Sequence, residues 1–347
     1  MKTSNQSNRK EILALFQKCR LFRKEKDFRE WVLKGYRNPD FFELRSYGQE
    51  YPGRIVYHIK EYGCSVGFFA EFLYTLIRLY FAADRGFVPY VDWGDSCLYY
   101  EEGGIQNEQN AFLYYFEPVS DVKSIANAAH ALEATPYHIL EVQNCLNTHG
   151  YAVTDEYMNA LSGMIKEYIQ YNKRTREYLE GGYNELVGNK KALAVHFRGT
   201  DYRRQYNNHP VFITLDQEIE KVKEVFQTGK YEMIFLATDE QEAVDAFKRE
   251  FGECVKCFDD TWRADGGDES VAYSNSKRKN HHYLLGLEVL RDQYMLTRCD
   301  GLVCGISNLT LSARMMRKAW YEKDYDDLVI LNHDLCHNDR QFCDAKH

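Results

Sequence analysis

The sequence predicts an α/β protein built from two doubly wound domains that face each other across a cleft. The chain has 347 residues, which exceeds the usual size of a single domain. Short runs of β-branched and aromatic residues alternate with stretches of helical periodicity, and no internal repeat interrupts that alternation. We therefore expect an N-terminal domain at residues 1–188 and a C-terminal domain at residues 189–347.

The first half of the chain contains one strand–helix–strand unit. Residues 54–59 are typical of a strand, and a helical pattern of apolar residues follows at 69–79. Gly86 is expected to end this helix, and residues 88–93 form the next predicted strand. A connection of this length suits a parallel pair of strands.

The middle of the chain is predicted to be a loop followed by helices. Residues 95–110 are polar and contain glycine, which indicates a loop. Residues 120–132 and 155–186 carry helical periodicity and are rich in Glu, Lys and Tyr. The second of these helices is expected to cross between the domains.

From residue 191 onward, strands and helices alternate regularly. The predicted strands lie at 192–197, 233–237, 254–258, 301–304 and 327–331, and the predicted helices at 215–227, 241–251, 283–298 and 309–320. In the first of these helices, Ile219, Val222 and Val225 share one stripe that suits packing on a sheet. Glu218 lies off that stripe. The pattern predicts a doubly wound domain, in which ligands bind beyond the carboxyl ends of the strands.

Composition and charge exclude several classes of function. A net charge of −8 and a pI near 5.8 argue against nucleic-acid binding, because that affinity comes mostly from Lys and Arg at the phosphates. The first residues lack an apolar signal region, and no stretch suits a membrane span, so we expect a cytoplasmic protein without a transmembrane segment. Cys254 and Cys257 lack a second ligand pair at matching spacing, so free thiols are expected rather than a zinc site.

The strand predicted at 192–197 delivers a polar cluster at its carboxyl end. His196 lies in the strand, and Arg198, Gly199 and Asp201 follow it closely. A planar guanidinium suits a diphosphate because it forms paired charge-assisted hydrogen bonds, and a glycine lets the backbone approach a ligand. The alternative is a structural Arg198–Asp201 ion pair beside a core histidine.

Three further segments are candidate nucleotide contacts. Asp239 follows the next strand and is expected either to cap a helix, the stronger interpretation, or to approach the ligand. Asp292 is a candidate acceptor for the paired N–H groups of guanine, with an ordinary solvated helix position as the alternative. Ser307, Asn308 and Leu309 open a helix whose first amides suit phosphate, and a plain helix cap uses the same groups.

A glycine-bearing turn in the first half is the predicted opposite lip of the cleft. It contains Gly63, Gly67 and Phe68, with Glu71 as a candidate contact. The turn matches neither the phosphate-binding loop that ends in Gly-Lys-Ser/Thr nor the dinucleotide-binding glycine pattern.

Together these features resemble the GDP-fucose-dependent fucosyltransferase superfamily, which contains core α-1,6-fucosyltransferases, bacterial nodulation fucosyltransferases and protein O-fucosyltransferases. Residues 54–317 carry the resemblance. The first motif of the family, His-x-Arg-Arg-x-Asp, is matched by His196, Arg198 and Asp201. The resemblance assigns phosphate binding to Arg198.

Two later features of the family also have counterparts. Its guanine-binding Asp lies eight residues before another acidic residue, which corresponds to Asp292 ahead of Asp300. Its Ser-bearing turn corresponds to Ser307 and Asn308. With these matches, the resemblance favours the binding roles of Arg198 and Asp292 over the structural alternatives.

The resemblance implies a GT-B-like arrangement of two Rossmann-like domains and an inverting, metal-independent transfer without a cofactor. The donor would be a nucleotide sugar, GDP-fucose above all, and the acceptor a hydroxyl of a glycan or glycoconjugate. A peripheral position at the inner membrane face is expected if that acceptor is lipid-linked. The rival interpretations are a different nucleotide-sugar donor and a non-catalytic nucleotide- or glycan-binding module.

The sequence departs from the family at two places. Gly199 stands where the motif has its second Arg, and residues 203–208, ahead of His209 and Pro210, contain no carboxylate. Core fucosyltransferases have a Glu, assigned as catalytic base, in that second segment. In this chain either the base lies elsewhere, or the linkage and donor differ.

Three carboxylates are candidates for the catalytic base. They are Asp201, Glu71 and Asp95, with Asp201 favoured as a residue that orients Arg198.

Overall fold

The computed structural model describes residues 44–62, 66–148, 151, 153–321 and 323–340, which form two compact units. The first unit takes its residues from Met1–Val66, Glu71–Thr148 and Thr154–Gln170. The second takes them from Gly67–Ala70, His149–Val153 and Tyr171–His347. Each unit contains a largely parallel sheet with helices, so the predicted α/β class is confirmed. The predicted cleft between domains stays a prediction.

The first unit is built on a four-stranded sheet of order β1-β4-β2-β3. Its elements are β1 (Leu44–Arg45), β2 (Val56–Lys60), most of α1 (Phe68–Arg85), β3 (Val88–Asp92), β4 (Ala131–Glu133), α2 (Pro136–Cys145) and α3 (Asp155–Tyr168). Strand β2 is parallel to both of its neighbours, and β1 is antiparallel to β4. The predicted parallel strand–helix–strand unit is therefore present as β2–α1–β3, and Gly86, with a φ of 68°, follows the end of α1.

The prediction of a helix at residues 120–132 is wrong. This segment is irregular until β4, because its serine hydroxyls form hydrogen bonds with backbone groups and so compete with the hydrogen bonds of a helix. Ser120 Oγ donates to the Pro89 carbonyl at 2.6 Å and accepts from the Val122 amide, and Ser124 Oγ accepts from the Ala126 amide. Helical periodicity alone did not reveal this competition.

The single helix predicted at 155–186 is two helices. The second, α4 (Lys173–Leu186), starts afresh because the Asn172 side chain caps it by accepting from the Thr175 amide at 2.9 Å. Helix α4 packs against α7 (His281–Arg298) and belongs to the second unit, whereas the sequence analysis assigns it to the N-terminal domain. Helix α2 was not predicted.

The second unit is built on a parallel five-stranded sheet of order β7-β6-β5-β8-β9. Its remaining elements are β5 (Ala192–Phe197), α5 (Leu215–Phe226), β6 (Met233–Thr238), α6 (Gln241–Phe251), β7 (Val255–Lys256), β8 (Gly301–Gly305), α8 (Asn308–Trp320) and β9 (Asp327–Leu331). Every predicted strand and helix after residue 191 is present, with β7 shorter than predicted.

Helices cover both faces of this sheet, as the doubly wound prediction requires. Apolar residues of α4, α7 and α8 pack on one face, and those of α5 and α6 on the other. All residues of β5 and β6 are buried, as expected for central parallel strands. The chain runs outward from β5 to β6 and β7 on one side, and β8 and β9 lie on the other. The switch point between β5 and β8 is where such sheets bind ligands.

Candidate functional site

Arg198 follows β5 directly and is fixed by three side chains. Its Nη2 atom donates to Asp201 Oδ1 at 2.6 Å and to Ser270 Oγ at 3.2 Å. Its Nη1 atom lies 2.8 Å from Asp239 Oδ2. The side chain is 29% exposed, so the guanidinium is oriented by carboxylates and still reaches the surface at the strand end. The predicted Arg198–Asp201 ion pair is thus present, together with a second carboxylate.

The turn after Arg198 is held by carboxylates from the end of β6. The Gly199 amide donates to Asp239 Oδ1 at 3.0 Å, and the Thr200 hydroxyl donates to Asp239 Oδ2 at 2.6 Å. The Thr200 amide donates to Glu240 Oε1 at 2.8 Å. The helix-capping alternative for Asp239 is wrong, since no side chain caps α6 and this carboxylate instead joins β6 to the turn after β5.

Buried Glu240 occupies the space beside Gly199. A Cβ atom at residue 199 would overlap the Glu240 carboxyl group. Glu240 in turn forms a paired ion bridge with Arg203. The departure from the His-x-Arg-Arg-x-Asp motif at this position therefore has a steric reason in this chain.

A recess lies at the switch point. It is lined by His196, Phe197, Arg198, Tyr202, Pro210, Val211, Ile213, Glu218, Gly305, Ile306 and Ser307. It therefore joins the end of β5, the start of α5 and the turn after β8. This arrangement brings His196, Arg198 and Ser307 together, as the sequence analysis predicted.

His196 is a neutral group in this recess. It is buried, and its Nδ1 atom has no hydrogen-bond partner among the described residues. Burial, and then the positive charge of Arg198, lower the pKa of His196 to about 4, although Asp239 opposes this shift. The imidazole therefore carries no charge at neutral pH, and Arg198 is the cation of the recess.

Glu218 is the functional candidate that the sequence analysis missed. In the sequence, Glu218 lies off the apolar stripe of α5. In the structure, it is 1% exposed and faces the recess. Burial raises its pKa to about 8. Its spacing of four residues from buried Val222 is the sequence signal that would have shown both on one helix face.

Ser307 caps α8, so the plain-cap interpretation of its side chain is correct. Its Oγ accepts from the Thr310 amide at 3.2 Å, and its own amide donates to Thr310 Oγ1 at 3.1 Å. Asn308 and Leu309 follow as the first residues of the helix, whose amides have no intrahelical acceptor. A capped helix start beside Arg198 is a ready anion site.

Asp292 lies on α7 and is buried, so the solvated alternative is wrong. Burial raises its pKa to about 7, although Arg263 and Arg291 lower it. Asp292 does not line the recess, and Arg291 is engaged by Asp260 at 2.5 Å. Asp292 is therefore a candidate binding residue of the second unit that lies outside the recess.

The remaining candidates lie at or near α1, at an exposed loop position or outside the described residues. Both carboxylate oxygens of Glu71 accept from the Tyr62 amide at 2.9 Å, and burial raises the pKa of Glu71 to about 7. Phe68 is buried at the start of α1, and Gly67 has open space at its Cβ position. Asp95 is exposed. Gly63 lies outside the described residues.

Three further observations concern the described residues as a whole. Within the described ranges, no His, Cys, Asp and Glu side chains form a group of three or more that could hold a metal ion. No described helix is long and apolar enough to cross a membrane. The cysteines of these ranges, including Cys254 and Cys257, are free thiols.

The second unit thus belongs to the class of doubly wound α/β domains, with a recess at the switch point of the sheet. No family model matches the chain, and no curated protein matches its sequence. Among solved structures it is similar to NodZ alpha-1,6-fucosyltransferase soaked with GDP-fucose, with 16% identity over 76% of this chain and 92% of that chain and a TM-score of 0.44.

Two other solved structures are similar to this chain, also at low sequence identity. Fucosyltransferase NodZ from Bradyrhizobium has 16% identity over 75% of this chain and 92% of that chain, with a TM-score of 0.39. POFUT1 in complex with GDP has 11% identity over 82% of this chain and 98% of that chain, with a TM-score of 0.48.

Proposed function

We propose that the protein is a glycosyltransferase that transfers a sugar, fucose above all, from a nucleoside diphosphate to a hydroxyl of a glycan or glycoconjugate. The observation that carries the proposal is the recess at the β5–β8 switch point, which combines the fixed guanidinium of Arg198 with the start of α8 at Ser307. A guanidinium and helix amides both bind phosphate, and this is the place where doubly wound sheets hold nucleotides.

The Arg198 guanidinium and the first amides of α8 both contribute to binding the diphosphate. Asp201 and Asp239 orient Arg198 but also offset its charge. The amides of Asn308 and Leu309 therefore supply part of the attraction, since a helix start carries a partial positive charge.

Transfer would proceed by displacement at the anomeric carbon. The bond between that carbon and the phosphate oxygen breaks, its electron pair passes to the diphosphate, and the acceptor oxygen bonds to the opposite face. Arg198 and the α8 amides stabilise the negative charge on the leaving diphosphate, and no metal takes part. Asp201 is committed to Arg198, so the acceptor hydroxyl loses its proton late in the step, to water.

The nucleotide preference tests the proposal. GDP is expected to raise the melting temperature of the wild-type protein, because a ligand at 100 times its Kd stabilises the native state by about 2.7 kcal/mol. UDP, ADP and CDP at equal concentration are expected to give smaller shifts. Differential scanning fluorimetry measures all four. Absence of any shift with GDP would contradict the GDP assignment, and a larger shift with another diphosphate would reassign the donor.

Asp292 is the residue proposed to select guanine. Its buried carboxyl on α7 suits the paired N–H donors of that base. The Asp292→Asn variant is expected to bind GDP at least tenfold more weakly, on the scale of a lost charged hydrogen-bond pair, and to lose its preference over ADP. Calorimetric titration measures both affinities. Asp216→Asn, an exposed change on α5, is the matched control. An unchanged GDP-to-ADP ratio in Asp292→Asn would exclude Asp292 from base recognition.

A further inference from the structure

Glu218 has a hydrogen-bonding atom that the protein leaves unused. Its Oε1 atom is buried without a partner among the described residues, and the side chain faces the recess that Arg198 and Ser307 also line. Buried polar atoms are nearly always hydrogen-bonded, and an unbonded one destabilises the fold. An apolar residue beside Val222 would pack on the sheet without that cost. The position of Glu218 therefore points to a ligand that completes its hydrogen bond.

The carboxyl of Glu218 is a hydrogen-bond donor at neutral pH. Burial raises its pKa to about 8, so the group keeps its proton below that value. A protonated carboxyl has one O–H to donate, whereas a carboxylate only accepts. In the recess, Arg198 already lies between two carboxylates. A third negative charge at Glu218 would repel a diphosphate, and a neutral acid does not.

The position of Glu218 in the recess also determines which face of the donor sugar it is near. Arg198 and Ser307, the groups proposed to hold the leaving diphosphate, line the same walls. In an inverting displacement the acceptor approaches the opposite face of the sugar. Glu218 is therefore unsuited to take the proton of the acceptor, and the leaving group is the part of the substrate that it can reach.

We propose, on the basis of the proposed function, that the Glu218 carboxyl donates a hydrogen bond to a non-bridging oxygen of the donor's distal phosphate. This bond strengthens as the electron pair of the breaking carbon–oxygen bond passes to that phosphate. Glu218 keeps its proton throughout, and the proton of the acceptor hydroxyl leaves on the other side of the sugar. A neutral acid that stabilises developing charge in this way needs no partner in the free protein.

The pH dependence of GDP binding follows from this role. His196, Arg198 and Tyr202 line the recess with Glu218, and Cys304 on β8 interacts electrostatically with it. On α6, which packs against α5, Glu250 pairs with Lys223. The pKa of His196 is lowered to about 4 and that of Cys304 is raised to about 12, and burial raises the pKa of Tyr202 well above its ordinary value. Between pH 7 and 9.5, Glu218 is the group of this recess that ionises.

Calorimetric titration of GDP between pH 7 and 9.5 tests the proposal. The terminal phosphate is ionised throughout, because its second pKa is about 6. Wild-type affinity is expected to fall about tenfold for each pH unit above 8, as a carboxyl that must be protonated loses its proton. Glu218→Gln keeps a neutral donor of the same shape, so its affinity is expected to match the wild type at pH 7 within about threefold and to lack the fall between pH 8 and 9, a range below the ionisation of the guanine N–H.

Glu220→Gln is the matched control, because it removes an exposed carboxyl from the same helix and should retain the wild-type pH profile. The pH profile of GDP affinity in the wild-type protein alone shows whether a group with a pKa near 8 controls GDP binding. The test therefore does not require the Glu218→Gln variant to fold. Wild-type protein that binds GDP through Arg198 with constant affinity between pH 8 and 9 would overturn this inference alone. Wild-type protein that binds no GDP at any pH would overturn the proposed function.

Discussion

Arg198→Ala is expected to lower kcat/KM for sugar transfer by about 10²–10³-fold, on the scale of losing one preorganised group that stabilises a leaving anion. Arg198 is the cation of the recess, and its orientation is set by Asp201, Asp239 and Ser270. Without it, two carboxylates remain where the diphosphate should bind. Steady-state kinetics with GDP-fucose and released GDP as the readout measures the loss.

Arg198→Lys separates charge from geometry. A lysine keeps the charge but lacks the planar fork that bridges two carboxylates and a phosphate, so we expect most of the loss to remain. Arg249→Ala, an exposed change on α6, should leave activity unchanged. Melting temperatures of the variants show whether any loss comes from unfolding. A folded Arg198→Ala protein with activity within a few-fold of wild type would exclude the assigned role.

Gly199→Ala is expected to destabilise the protein by about 3 kcal/mol and to reduce activity by about 10²-fold, although it adds a single methyl group. The new Cβ would overlap the Glu240 carboxyl, which is 2% exposed and held by Arg203 and the Thr200 amide. Relief of the overlap must shift the turn that carries Arg198. Chemical denaturation and kinetics on the same preparation measure both effects.

Two further variants isolate the cause. Gly163→Ala on α3 has no atom near its Cβ and should stabilise the protein by about 0.5–1 kcal/mol, as alanine does in a helix. In a Glu240→Ala background the overlap is gone, so Gly199→Ala should cost little more. Arg203 then loses its partner but is 35% exposed and can be hydrated. An equal cost of Gly199→Ala in both backgrounds would show that the overlap with Glu240 is not its cause.

The central strands of the second unit, β5 and β6, were predictable because they are buried on both faces and form continuous apolar runs. Strand β5 was predicted with its observed bounds, and β9 likewise. The polar cluster after β5 was predictable for the same reason, since polar residues that follow a buried strand lie at the ligand-binding edge.

Other features depend on contacts that a single sequence does not show. The role of Gly199 follows from the position of Glu240, which is 41 residues further along the chain. The irregular segment after Ser120 is held in part by a hydrogen bond from the Ser120 hydroxyl to the Pro89 carbonyl of β3. Glu218 looked like a polar helix residue, because periodicity gives the face of a helix only approximately and does not reveal a recess beside it.

A crystal structure of the protein with GDP tests the central claim most directly. We predict that the terminal phosphate lies within hydrogen-bond distance of the Arg198 guanidinium and of the Asn308 and Leu309 amides, at the switch point between β5 and β8. GDP bound elsewhere, with Arg198 held by Asp201 and Asp239 as in the free protein and no phosphate at the start of α8, would contradict the claim.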